Sequence, residues 1–279
     1  MRIAVTGADG TLGSAVLKRL SELQPIPLTQ DDLDLSELTQ IPTVLSKIKP
    51  EIIVHTAAFT AVDESESQRE LALRVNGRSV GVIGQVAAKL KALVIYYSTD
   101  YVFPGVNPAG YTEDSTVAPV NFYGQSKAEG ERRLQSSGAV FIIIRTSRIF
   151  GEQGRAAGAK KNFVQKMIEL SRQQPIIEVV DDERASPTYA PDLAEATYQL
   201  MMSERRGIFH RTNDGSCTWF EFAKEIFSVM KWGGILKPVH GSHFSRPAKR
   251  PSISILVNTK LAPLRTWPEA LRDYIAQLS

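Results

Sequence analysis

The stretch Arg2-Ile3-Ala4-Val5-Thr6-Gly7-Ala8-Asp9-Gly10-Thr11-Leu12-Gly13 decides the fold. Ile3-Ala4-Val5 is a short apolar run that predicts a buried strand. Three glycines follow at GxxGxxG spacing. They open onto residues 14–23, where Val16, Leu17, Leu20 and Leu23 recur at helical intervals. Strand, glycine turn and helix in that order make a phosphate cradle. Glycine lets the backbone approach a pyrophosphate, and the N–H groups at a helix start favour its negative charge. Gly7, Asp9, Gly10, Thr11, Leu12 and Gly13 are therefore candidate cofactor-binding residues.

The alternation continues outward. Ile26-Pro27-Leu28, Ile52-Ile53-Val54, Leu93-Val94-Ile95-Tyr96 and Phe141-Ile142-Ile143-Ile144 read as further strands, with one long helical pattern over 68–90 between them. Near-continuous apolar strands separated by helices predict a Rossmann-like, doubly wound parallel sheet of the α/β class. Near residue 150 the texture loosens. Residues 1–150 are expected to bind a dinucleotide, and 151–279 to form a smaller, interleaved C-terminal substrate domain, with segments near 175–203 returning to the first. Helices are predicted over 162–173, 191–203, 218–230 and 268–278, and a strand at Ile176–Val180. Thr218 with Glu221 has capping-box spacing. The Gly-, Pro-, Ser- and Arg-rich stretch 233–252 reads as an irregular loop.

Composition narrows the function. With 33 Lys and Arg against 30 Asp and Glu, a net charge of +3 does not suggest binding to nucleic acid or membrane through bulk charge. A single cysteine, Cys217, excludes an intrachain disulfide and a multi-cysteine metal site. No apolar run is long enough for a membrane span, and the start has no signal-peptide pattern, so a cytoplasmic protein is expected.

The chemistry sits in two motifs. Tyr123-Gly124-Gln125-Ser126-Lys127 is YxxxK, which puts the phenol and the ammonium on one helix face. A neighbouring ammonium favours phenolate, and such a tyrosine exchanges a proton with a carbonyl or alcohol oxygen. Thr99, in Ser98-Thr99-Asp100-Tyr101-Val102-Phe103, follows the fourth strand run, at the sheet edge where ligands bind. Thr99, Tyr123 and Lys127 are the catalytic candidates: Thr99 orients the carbonyl, Tyr123 donates the proton, and Lys127 tunes Tyr123 and holds the ribose. A cofactor must bring the hydride. The second strand ends at Thr29-Gln30 without a carboxylate at its tip, which leans towards NADPH. No arginine stands there for a 2′-phosphate, and Asp31 and Asp32 lie close by, so NADH stays open.

These residues also carry a family resemblance. Ile53-Val54-His55-Thr56-Ala57-Ala58-Phe59-Thr60-Ala61-Val62-Asp63 is similar to VNAAAYTAVD, and Ser98 to Phe103 to STDYVF. Arg145-Thr146-Ser147-Arg148-Ile149-Phe150-Gly151 resembles RTSWVYG, and Ser186-Pro187-Thr188 with Asp192-Leu193-Ala194 resembles PT…DLA. Gly207 to His210, Thr218 to Ala223 and Arg246 to Ser254 match further segments. The pattern resembles the dTDP-4-dehydrorhamnose reductases, which are extended short-chain dehydrogenase/reductases. It implies reduction of the C4 keto group of dTDP-4-dehydro-β-L-rhamnose with NADPH or NADH. Alternatives are a reductase or epimerase of another nucleotide 4-ketosugar, and a non-catalytic NAD(P)-binding regulatory subunit of the same fold. The resemblance places Asp34, Leu35, Ala57, Ala58, Thr60 and Asn76 along the cofactor. It places Thr60, Val62, Tyr101, Arg148, Asn162, Pro187, Arg250 and Ser254 along the nucleotide sugar. A guanidinium is suited to fork a diphosphate, which is the role expected of Arg250.

Two departures stand out. Arg148 replaces the tryptophan that would pack on the sugar, and Ala15 replaces a glutamate that in some members serves a metal at a dimer contact. No metal site is expected, and the chain is expected to act as a monomer or homodimer. His55, His210 and Cys217 read as structural, Trp219, Phe220 and Phe222 as core, and Lys160-Lys161 as solvated loop charge.

Overall fold

In a computed structural model that describes residues 1–155 and 161–278, the first half follows the alternation of the sequence. β1 (Ile3–Thr6), α1 (Thr11–Arg19), β2 (Ile26–Leu28), α2 (Gln40–Ile48) and β3 (Ile52–His55) come in turn. α3 (Glu64–Ser67), α4 (Arg69–Leu73), a π-turn over Arg74–Arg78 and α5 (Ser79–Leu90) follow. The single helix expected over 68–90 is therefore interrupted. The π-turn sits at Asn76, whose side chain is drawn to the backbone of Phe59 and the hydroxyl of Ser126. β4 (Leu93–Thr99), α6 (Phe122–Gln135) and β5 (Val140–Thr146) complete this half.

Beyond it lie β6 (Ile149–Phe150), α7 (Phe163–Gln173), β7 (Ile176–Val180), β8 (Arg184–Ala185), β9 (Thr188–Tyr189) and α8 (Ala190–Met202). The chain ends with β10 (Gly207–His210), β11 (Cys217–Thr218), α9 (Trp219–Met230), β12 (Ile235–Val239) and α10 (Trp267–Leu278). None of the described helices is long and apolar enough to cross a membrane.

Six parallel strands form the main sheet in the order β10-β5-β4-β3-β1-β2. The chain moves outward from β1 to β2 and then crosses back to β3, so the strand order reverses between β1 and β3. In open α/β sheets, ligands bind at that crevice, beyond the carboxyl ends of the strands. Helices cover both faces. α1 and α8 pack through Val16, Leu20, Leu193 and Leu200 on one. α2, α5 and α6 pack through Ile41, Leu45, Ile83 and Leu134 on the other. Double coverage is why these strands are apolar at nearly every position.

A second core gathers Phe150, Met167, Ile177, Phe222, Ile226, Leu271 and Tyr274. Residues 175–203 divide between the two cores. α8 lies on the main sheet, but β7 does not return to it. Ile177 and Val179 fill the second core, and β7 pairs in parallel with β12. The exposed-buried alternation at Ile176-Ile177-Glu178-Val179 suits a half-covered strand rather than an interior one. β12 also corrects the irregular loop expected over 233–252. Pro238 is tolerated there because the sheet has only two strands, so both are edges. β10 extends the main sheet beside β5. Of the two loop lysines, Lys160 lies outside the described residues, and Lys161 pairs with Glu169 at 2.9 Å.

Candidate active site

Gly7 follows β1 at φ +66°, and a Cβ there would fall 2.7 Å from the backbone nitrogen of Ala57. The loops after β1 and β3 thus meet backbone to backbone at the point of strand reversal, which only glycine permits. A Cβ on Gly13 would collide with the carbonyl of Gly7. Gly10 caps α1 without a side-chain acceptor, so among the described residues no side chain caps the N–H groups of the first turn. Free donors beside a close-packed glycine loop fit a dinucleotide pyrophosphate.

Around this cradle the predicted cofactor residues are distributed as follows. Thr29 donates from its backbone N and its Oγ1 to Asp32 at 2.9 and 2.8 Å, which draws that carboxylate back onto the end of β2 and lowers its pKa. Asp34 accepts from the Ser36 backbone N at 2.8 Å, in a turn that precedes α2. The Leu35 side chain lies in the core with Leu33. Ala57, Ala58 and Thr60 follow β3, and Thr60 is exposed. Asn76 shapes that loop from beneath. Its Oδ1 accepts from Phe59 N at 2.8 Å, and its Nδ2 donates to Phe59 O at 2.9 Å and Ser126 Oγ at 3.0 Å.

The catalytic candidates come together at the end of β4 and the start of α6. Thr99 is the last residue of β4, and its Oγ1 accepts from Tyr101 N at 3.1 Å and donates to Asp100 Oδ1 at 3.0 Å. Asn121 caps α6 by accepting from Gly124 N at 2.8 Å, and its Nδ2 donates to Lys249 O at 2.8 Å. This cap fixes Tyr123 in the first helical turn. The Tyr101 ring meets the Tyr123 ring edge-on at 6.0 Å. One turn along, buried Lys127 rests its Nζ 4.2 Å from the centre of the Tyr96 ring.

The electrostatics correct one expectation. Burial holds the Tyr123 phenol above its ordinary range, with the Thr99 hydroxyl opposing it. Lys127 is not what sets the phenol here. Burial instead pulls the ammonium of Lys127 down to about 7, against the attraction of Glu131. The tyrosine is thus kept protonated, the state a proton donor needs. Burial, and then Lys127, lower His55 to about 3, and its Nδ1 lies 2.7 Å from Thr6 Oγ1. Burial pushes the Cys217 thiol up to about 12.

On the substrate side the structure reassigns several residues. Arg148, at φ +45°, donates to Cys217 O at 2.9 Å and Glu183 O at 2.7 Å, and stacks 3.9 Å from the Trp219 ring centre. The cation expected over the sugar is drawn onto main-chain carbonyls and an indole. Arg250 does fork two acceptors, but they are the carboxylate oxygens of Asp63, at 2.9 and 2.7 Å. Asn162, expected along the sugar, caps α7. Its Nδ2 donates to Gly151 O at 2.6 Å and Tyr274 Oη at 3.0 Å, so its polar atoms are spent on structure. Pro187 is buried between β8 and β9, and Val62 is half-buried beside Asp63. Ser254 donates to Asp100 Oδ2, which brings the C-terminal region against the triad.

Three residues at the site were missed. Asp100 lies inside the motif that carries Thr99, and its flanking hydroxyls were the available signal. Asp63 closes the motif that carries Thr60 and Val62, but its partner Arg250 is remote in sequence. Gly154 left no signal at all. A Cβ there would lie 2.5 Å from Asp9 O, and Arg155 N donates to that same oxygen at 2.7 Å. The segment after β6 therefore walls the phosphate cradle.

Comparison with known proteins identifies the family. The profile of the family described as "RmlD substrate binding domain" matches residues 1–279. A dTDP-4-dehydrorhamnose reductase of Burkholderia thailandensis is 33% identical over 281 residues, covering 94% of this chain and 92% of that protein. A Streptomyces antibioticus protein named probable dTDP-4,6-dihydroxy-2-methyloxan-3-one 4-ketoreductase is 35% identical, covering 98% and 94%. The crystal structure of a Bacillus anthracis dTDP-4-dehydrorhamnose reductase in complex with NADP superposes with a TM-score of 0.94 at 35% identity, covering 99% of each chain. A Thermus thermophilus UDP-glucose 4-epimerase, at 18% identity and a TM-score of 0.80 over 99% of this chain and 98% of that one, shares the fold. With a profile that spans its whole length and relatives above 30% identity over nearly all of it, this chain belongs to the RmlD substrate-binding family.

Proposed function

We propose that the protein reduces the C4 keto group of dTDP-4-dehydro-β-L-rhamnose to give dTDP-β-L-rhamnose. The cofactor is NADPH, with NADH as the alternative. Bound at the glycine cradle, the dinucleotide supplies a hydride to the carbonyl carbon. Tyr123 passes its phenolic proton to the carbonyl oxygen, which balances the reduction to an alcohol. Thr99 orients that oxygen. Lys127, whose amine titrates near neutrality, faces the ribose and the phenolate left behind. The observation that carries the reading is a half-buried Tyr123 whose phenol lies against the Thr99 hydroxyl, at the sheet edge that also holds the Gly7–Ala57 contact. Residues 1–150, with α8 and β10, serve the dinucleotide, and most of 151–279 serves the nucleotide sugar. Arg250 and Asp63 stand where a diphosphate would compete for the guanidinium. The protein works in the cytoplasm as a monomer or homodimer.

A second reading keeps the chemistry and changes the sugar. It is favoured by Arg148, which stacks on Trp219 where the family places a tryptophan, and by the name of the Streptomyces antibioticus relative. Oxidation of NADPH and of NADH, followed by absorbance with dTDP-4-dehydrorhamnose and with other dTDP-4-ketosugars, decides between them. Tyr123→Phe should lower turnover about 10²-fold or more, in keeping with general acid catalysis, while still binding NADPH. Near-normal turnover in that variant removes Tyr123 from the chemistry.

A further inference from the structure

Asp100 is a buried carboxyl, 3% exposed, one residue from Thr99. Its Oδ1 accepts from Thr99 Oγ1 at 3.0 Å and its Oδ2 from Ser254 Oγ. Tyr101 and Tyr123 lie beside it, Ser147 and Arg148 face it from the segment after β5, and Ser254 faces it from the C-terminal region. Among the described residues none forms an ion pair with it. Arg148, the cation that acts on it, has both terminal nitrogens on carbonyls. A buried carboxylate without a paired cation is costly, and the usual remedy is to hold the proton.

A hydroxyl has one hydrogen to donate. In this arrangement Thr99 gives it to Asp100, so none is left for a substrate carbonyl. We propose that Asp100 is a positioning residue that works as the neutral acid, donating to Thr99 Oγ1 and thereby turning the Thr99 hydrogen towards the substrate oxygen. The chain of donors then runs Asp100 to Thr99 to carbonyl, and each bond polarises the next. Asp100 loses no proton in the step; it only sets the direction of one. Burial raises Asp100, ahead of the opposing hydrogen bond from Ser254 and the charge of Arg148. The proposal rests on the reading of Thr99 as the hydroxyl that meets the ketone.

Infrared difference spectra of the whole protein between neutral and alkaline pH test it. We expect the carbonyl stretch of a protonated carboxylic acid in the wild type, lost as pH rises and missing from Asp100→Asn. Ser254→Ala, which removes a hydrogen bond to the ionised form, should move that loss to higher pH. It also assigns the band if the asparagine variant does not fold. Turnover is the second arm. Asp100→Ala should lower kcat about tenfold, the worth of one hydrogen bond. Asp100→Asn should recover most of that, because its amide still donates to Thr99. Thr99→Val combined with Asp100→Ala should fall no further than Thr99→Val alone. Absence of the acid band in the wild type, or an asparagine variant as impaired as the alanine one, overturns the proposal. A wild type that consumes no NADPH with the ketosugar defeats the proposed reaction instead, and the infrared arm still judges Asp100.

Discussion

Replacing Lys127 with methionine should make the cofactor-free protein more stable while removing its turnover. The amine titrates at 10.5 in an unfolded chain and at about 7 in the fold, because burial disfavours the ammonium. Below the lower value both states carry the proton, and the folded state bears the full cost of the buried charge. Between about 7 and 10.5 the unfolded state binds a proton that the native state lacks, so native stability rises with pH across that window. At about 1.4 kcal/mol per pKa unit, the full cost is on the order of 5 kcal/mol. Methionine keeps the alkyl stem but forfeits the contact with the Tyr96 ring, worth roughly 0.5–2 kcal/mol. The net gain is on the order of 3 kcal/mol at about pH 6, and it fades towards zero near pH 10. Urea unfolding of both proteins without cofactor, at the two pH values, measures it. An equal gain at both, or none at the acid value, refutes the claim that burial of this ammonium is a cost the fold bears for function.

Three other outcomes follow from the site. Arg250→Ala should raise KM for the nucleotide sugar more than it lowers kcat, as expected when uniform binding is lost; an unchanged KM in steady-state kinetics removes Arg250 from the site. Gly154→Ala should weaken NADPH binding, measured by fluorescence titration, because its Cβ would meet Asp9 O at 2.5 Å and push the wall off the cradle; wild-type affinity would show that the wall is not part of the site. Arg148→Ala should destabilise the protein by about 1–3 kcal/mol in urea unfolding, since the Cys217 and Glu183 carbonyls lose a charged donor.

Most of the first 150 residues were legible because their signals are local. A glycine at the turn, an apolar run and a helical repeat each act on neighbours in sequence, so the glycine turn, the parallel sheet and the placing of Thr99 at a strand end and of Tyr123 and Lys127 on one helix could be read from spacing. The capping box at Thr218 and Glu221 was legible for the same reason, and both of its hydrogen bonds form. What could not be read depended on partners far along the chain. Arg250 looked free to fork a diphosphate until folding set Asp63 against it, 187 positions away. Pro238 lies in a strand only because β7 pairs alongside it. The pull expected of Lys127 on Tyr123 was outweighed by burial. Local spacing determines which groups a chain carries and on which face of an element they lie. Desolvation and long-range pairing determine the charge those groups hold, and both exist only once the distant segments have packed.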